Sequence, residues 1–203
     1  MKIAYKNILG LTTLSLGLTT ATIEYVTSDS IITPELSSGA IIRDEFPGFK
    51  LDFILLHCLM KKYAPKNIFE VGTCDGDGTL VITNATPRSS VISLELPPYT
   101  PPYNLTPQRI GHKCKRPYKQ VFGNSLTYNY AQHFPLDAWF IDGAHDYEHV
   151  KHETEQAIQS QARLIVYHDT DIKEVLDGVI DGFQGTDYKI FRVVDSRITY
   201  AIK

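Results

Sequence analysis

The sequence predicts an α/β domain built on a doubly wound, mostly parallel seven-stranded sheet that closes in a C-terminal antiparallel hairpin. Three observations predict it. Short apolar runs of strand character alternate with stretches of helical periodicity. Five successive runs end in polar clusters, at Glu70, Glu95, Asn124, Asp142 and His168, which would line one edge of a parallel sheet. The first run, in NIFEVGTCDGDGT (Asn67 to Thr79), breaks into a loop with Gly72, Gly76 and Gly78 and opens a helix. Glycines there let the backbone approach a ligand closely, and a helix start offers free N–H groups to a polar or anionic one.

The chain has 203 residues, 43% of them hydrophobic, enough for one good core. Its formal net charge of −3 offers no basic field to nucleic acid. The three cysteines, Cys58, Cys74 and Cys114, are odd in number and lack CxxC spacing, which speaks against a disulfide framework or a zinc knuckle and for a reducing, cytoplasmic setting. At the amino terminus, Lys2 and Lys6 precede the apolar-leaning run Ile8 to Ala21. Thr, Ser and Gly dilute that run, so it is too short and polar to span a membrane; export through it is the alternative to an arm packed on the domain.

Residues 1–48 are expected to form an N-terminal arm or lid, with the stretch from Thr22 to Gly48 irregular and rich in Pro, Ser and Gly. The domain proper is expected over 49–203. FKLDFILLHCLMKKYAP puts Leu51, Ile54, Leu55, Cys58 and Leu59 on one helical face, with Pro65 as the stop and His57 partly exposed. A short helix, Thr79 to Ala85, follows the glycine loop. VISLELP is the second strand, and its Glu95, seventeen residues past Gly78, can accept both hydroxyl protons of a ribose. The Pro-rich loop Pro97 to Asn104 suits a pocket rim. The basic stretch Gln108 to Lys119 reads as a solvated face. YKQVFGNS is the third strand, its Asn124 and Ser125 suited to bonding a base or to capping a helix near Leu126.

DAWFIDGAHDYEHVKHETEQAI is the second dense region. Ala138 to Ile141 is apolar throughout, as expected of a central strand covered on both faces, and it ends in Asp142, Gly143, Ala144 and His145. At such a strand end His145 can take a proton near neutral pH, while Asp142 can orient a group or bind a metal. His145, His149 and His152 fall at i, i+4 and i+7, but no acid at protease spacing joins them. ARLIVYHDTD is the fifth strand, a helix is expected from Asp171 to Gly182, and YKIFRVV with RITYAIK makes the closing hairpin.

From Phe49 to Lys203 the chain resembles class I S-adenosylmethionine-dependent methyltransferases, whose fold is Rossmann-like. Within them it is similar to the small O-methyltransferase-like branch with a strand-end D-G-x-H. EVGTCDGDGT is similar to the first motif, which implies Glu70, Gly72 and Gly76 around the methionine part of the cofactor. Glu95 matches the ribose acid, Asn124 and Ser125 the adenine side, and FIDGAHDYEHV the fourth motif, with Asp142 among the cofactor residues. Cys74 stands where many members have the middle glycine, and His168-Asp169-Thr170 replaces the Asp-Asn pair of metal-dependent relatives. The resemblance implies His145 as the base. It implies Asp142 beside it, with Asp169 as a second ligand if Mg²⁺ takes part, and a hydroxyl of a small molecule or sugar as methyl acceptor. No nucleic-acid or membrane partner is implied, and a homo-oligomer is compatible with it.

Two other readings stand beside this one. Gly72-x-x-x-Gly76-x-Gly78 with Tyr147-x-x-x-Lys151 mimics an NAD(P)-dependent short-chain dehydrogenase, although only 75 residues separate Gly72 from Tyr147, about two strand-helix units too few. The other is a methyltransferase-fold binding protein without catalysis.

Overall fold

The computed structural model describes residues 21–40 and 49–203. The expectations placed on residues 8–20 and on 41–48 lie outside them. Eight strands form one sheet in the order β1-β7-β8-β6-β5-β2-β3-β4, with β1 Ile23–Val26, β2 Asn67–Val71, β3 Ser90–Glu95, β4 Lys119–Phe122, β5 Ala138–Ile141, β6 Leu164–Tyr167, β7 Lys189–Val193 and β8 Thr199–Ile202. Every pairing is parallel except those that β8 makes with β6 and β7. The expected seven strands and closing hairpin are all present.

The eighth strand is an addition. Ile23–Val26 lies in the lead-in expected to be irregular, yet it pairs with β7 from Ile23↔Ile190 to Val26↔Val193. Its IEYV is β-prone, and the open edge of β7 supplies the hydrogen-bonding partner that the segment lacks by itself. Ser28 then anchors the chain, its N–H and hydroxyl donating to the two carboxylate oxygens of Asp195. A single helical turn, α1 (Pro34–Ser37), is capped by Thr33 and tied to α2 (Lys50–Tyr63) by Lys61, which donates to the carbonyls of Glu35 and Ser38.

Central strands alternate their side chains between two apolar layers. Phe69, Trp139, Ile165 and Tyr167 face the layer of α4 (Tyr147–Gln159) and α5 (Lys173–Gly182), while Ile68, Phe140, Leu164 and Val166 face α2 and α3 (Asp77–Ala85). Burying each such side chain contributes roughly 1.5–3 kcal/mol. His57, expected to be partly exposed, is instead 2% exposed on α2, and burial, then Lys61, holds its imidazole below the ordinary value. No helix among the described residues is long and apolar enough to cross a membrane.

The chain leaves β2 for β3 and β4 on one side, then returns to β5 on the other, so the strand order reverses between β2 and β5. At such a reversal the loops at the carboxyl ends part and leave a crevice. Asp142 and Gly72, one step past the Val71↔Ile141 pair, stand at its base.

Candidate functional site

That crevice opens into a cavity of about 780 Å³, within the range of small-molecule and cofactor sites. Gly72 forms its floor with φ +94°, and a Cβ there would sit 2.1 Å from the carbonyl oxygen of Asp142. Only glycine lets the two central strands end this close together. Gly76 caps α3 at φ +92° and meets the backbone of Gly111. Cys74, between them, also takes a left-handed φ of 44°, and its N–H donates to Glu95 Oε2 at 2.7 Å. Glu95 Oε1 accepts from the N–H of Leu96, which fixes the carboxylate at the end of β3.

Glu70 is placed differently from the other expected cofactor residues. It is fully buried beneath the loop, where Oε2 accepts from the hydroxyls of Thr79 and Ser93, both at 2.5 Å. Burial pushes its carboxyl up to about 8 against those bonds. Neither Glu70 nor Gly76 lines the cavity, whereas Gly72, Glu95, Asn124, Ser125 and Asp142 do. Glu70 thus shapes the loop from behind. Asn124 caps a turn, not a helix, since its Oδ1 accepts from the N–H of Leu126 and only a 3₁₀ turn follows, at Tyr130–His133.

The segment between β3 and β4 closes over the loop. Thr100, Pro101, Pro102 and Tyr103 line the cavity, as the rim reading expected. The basic stretch, expected to be a solvated face, docks on the glycine loop: Arg109 pairs with Asp75 at 2.6 Å, Lys113 with Asp77 at 2.5 Å, and Gly111 donates to the carbonyl of Cys74. The acids of TCDGDG are what draw it in.

A chain of charges crosses the opposite end of the cavity. His145 Nε2 lies 3.1 Å from Asp169 Oδ2 and 3.9 Å from Asp142 Oδ1. His168 Nδ1 lies 3.1 Å from Asp142 Oδ1 and 3.2 Å from Asp169 Oδ2, while its Nε2 lies 3.3 Å from Asp52 Oδ2. Arg197 donates through Nη2 and Nε to Asp52 Oδ2 and through Nη1 to Asp169 Oδ1. The Phe49 ring covers both cations, stacked on His168 at 5.6 Å and beneath the Arg197 guanidinium at 3.8 Å.

The carboxylates set the protonation of the two histidines. Asp142 and Asp169 raise the His145 imidazole above its usual value. Burial works against a charge on His168, but Asp142, then Asp169 and Asp52, push it up to about 12. Burial also works to raise Asp142, and His168 and His145 outweigh it, leaving that carboxyl below the ordinary range.

All the expected catalytic and metal-binding residues therefore meet. His145, Asp142 and Asp169 share one wall of the cavity. Asp142, His168 and Asp169 each offer one ligand atom, all within 4.8 Å of one another, which is the spacing of a metal site. As arranged here the donor set does not fit a divalent ion, because Nδ1 of His168 and the carboxylate oxygens face each other at hydrogen-bond distance and Arg197 takes the remaining oxygen of Asp169. Thr170, following Asp169, is turned away: its hydroxyl donates to the carbonyl of Arg197 and accepts from Thr199.

Sequence reasoning missed Asp52, Arg197 and Phe49, and saw His168 only as a strand end. One signal was available. Asp52 precedes Leu55, Leu56 and Leu59 by three, four and seven residues, so a lone carboxylate sits on the buried face of α2. Of the dehydrogenase pair, the Tyr147 hydroxyl donates to Asp181 on α5, and neither Tyr147 nor Lys151 lines the cavity.

No protein-family model and no curated protein matches the sequence. Solved structures are similar to it in fold. A methyltransferase of Podospora anserina, PaMTH1, bound to S-adenosylhomocysteine, is 13% identical with a TM-score of 0.55, covering 83% of this chain and 84% of that one. A putative caffeoyl-CoA O-methyltransferase from Staphylococcus aureus is 18% identical, TM-score 0.55, over 83% and 88%. TomG of Streptomyces achromogenes, an O-methyltransferase in complex with S-adenosylmethionine, is 17% identical, TM-score 0.53, over 84% and 90%. The chain has the Rossmann-like fold of the class I methyltransferases.

Proposed function

We propose that this protein is an S-adenosylmethionine-dependent O-methyltransferase acting on a hydroxyl of a small molecule, sugars included. The observation that carries the reading is one cavity with two chemically different ends: the glycine loop with the fixed Glu95 carboxylate at one, and an imidazole held between two carboxylates at the other. The names of the structural neighbours agree with it: one is a methyltransferase bound to S-adenosylhomocysteine and another an O-methyltransferase in complex with S-adenosylmethionine.

The cavity's residues fit the cofactor. Gly72 and the loop that Gly76 shapes would hold its methionine part, with Glu70 bracing the loop from beneath. Glu95 would accept the ribose hydroxyls, and Asn124 and Ser125 would face the adenine. When bound, the group supplies an electrophilic methyl on a sulfonium.

What this chain must add is positioning, exclusion of water and removal of one proton. His145 Nε2 accepts the acceptor's hydroxyl proton, and Asp169 and Asp142 stabilise the imidazolium that forms. Asp142, at the end of β5, also stands against the cofactor's end of the cavity, so it orients both partners. The raised His145 imidazole has to lose its own proton before it can act, so turnover rises with pH through a value above 6.5.

A crystal structure with S-adenosylhomocysteine tests the reading. It is expected to show the ribose on Glu95 and the sulfur facing the His145 end. No saturable binding of this compound would overturn it, and saturable binding of NADH instead would favour the dinucleotide reading.

A further inference from the structure

We propose that His168 and Arg197 are resident cations of the Asp52–Asp142–Asp169 cluster, filling the places a divalent metal would take, so that this centre works without one. The argument is one of occupancy. A buried carboxylate needs a compensating charge. Here three carboxylates, Asp52, Asp142 and Asp169, face His168 and Arg197, with His145 beside Asp142 and Asp169, and each oxygen that faces His168 lies within 3.3 Å of a ring nitrogen.

Both ring nitrogens of His168 face carboxylate oxygens at 3.1–3.3 Å. An ionised carboxylate only accepts, so both nitrogens carry hydrogen and neither has a lone pair for a metal. Magnesium holds its ligands at about 2.0–2.1 Å and prefers oxygen in octahedral array. It would have to expel the Nδ1 proton and settle against the guanidinium that grips Asp169. The Phe49 ring, stacked on both His168 and Arg197, is the face an aromatic presents to cations. Thr170, a neighbour able to offer oxygen, spends its hydroxyl on the hairpin.

His168 and Arg197 are thus positioning residues. They fix Asp142 and Asp169, which in turn hold His145, and only this last step rests on the methyltransferase reading. Without a metal to bridge two acceptor oxygens, the site asks its acceptor for one hydroxyl and no neighbouring chelating group.

Metal titration decides it. Free Mn²⁺ is followed by electron paramagnetic resonance as the full chain is titrated at neutral pH, with and without S-adenosylhomocysteine, and the His168 ring nitrogens are observed by ¹⁵N NMR. The wild type is expected to show no saturable binding below about 1 mM, with two ring N–H groups on His168 that added Mg²⁺ leaves unchanged. Arg197→Met, which removes a cation, is expected to gain Mn²⁺ affinity by about tenfold or more, and Arg197→Lys, which keeps the charge, is not. One Mn²⁺ bound by the wild type at micromolar concentration with loss of the Nδ1 proton overturns the proposal. So does a folded Arg197→Met whose affinity is unchanged. Should either variant fail to fold by circular dichroism, the wild-type titration and spectra decide alone. Failure of S-adenosylhomocysteine to bind in the same samples would count against the methyltransferase reading and leave the metal result standing.

Discussion

The two ends of the cavity are built by opposite means. At the glycine-loop end the groups come from the carboxyl ends of β2, β3 and β4 and are held mostly by backbone: the N–H of Cys74 and of Leu96 fix Glu95, and the N–H of Leu126 fixes Asn124. At the histidine end, side chains hold side chains. Asp52 from α2, His168 and Asp169 after β6, and Arg197 before β8 converge on Asp142 and His145 after β5. Backbone-fixed groups tolerate the loss of a neighbour, whereas a buried charge network fails as a unit.

The largest effect expected from that contrast is at Asp52, which is 2% exposed and accepts from Arg197 and His168. Asp52→Ala leaves both cations undercompensated and should cost about 3–5 kcal/mol in urea unfolding at neutral pH. A loss below about 1 kcal/mol would mean the network is no tighter than a surface pair.

Next is the pH dependence of stability. Burial pushes Glu153, fully buried on α4, up to about 8. The folded chain then keeps a proton that the unfolded chain releases near 4.5, so this group's contribution falls as pH rises from 4.5 towards 8. Each such group steepens the loss by at most about 1.4 kcal/mol per pH unit. Glu153→Gln is expected to flatten the slope, read from unfolding midpoints across that window, and an unchanged slope would refute it. His168 adds the same sign from 6.5 up to about 12.

A smaller effect is expected on His145. Asp169→Asn removes its nearer carboxylate, so the imidazole should titrate lower than in the wild type. NMR of the ring protons reads it directly. Smallest is Cys74→Gly. It relieves a left-handed residue but frees the unfolded chain, so stability should move by no more than about 1 kcal/mol.

The same contrast explains what the sequence showed and what it hid. The strands from β2 on, the hairpin and the glycine-loop end follow from local signals: a four-residue apolar run ending in Asp142, or a glycine triplet after Glu70, carries its meaning within a few residues. Strand β1 was hidden because IEYV becomes a strand only beside β7, more than 160 residues on. The pattern marks Glu70 as a strand end but not which face its side chain takes, and its burial against Thr79 and Ser93 appears only in the folded chain. Asp52 and Arg197 are 145 residues apart and meet only in the folded chain, so no spacing announces their pairing.

One measurement tests the division most directly: calorimetric titration with S-adenosylhomocysteine of the wild type, Glu95→Ala and His145→Ala in parallel. Saturable binding is predicted for the wild type, weaker by roughly tenfold or more in Glu95→Ala and unchanged in His145→Ala. Equal affinity in wild type and Glu95→Ala, or loss of binding in His145→Ala, would contradict the assignment of the two ends.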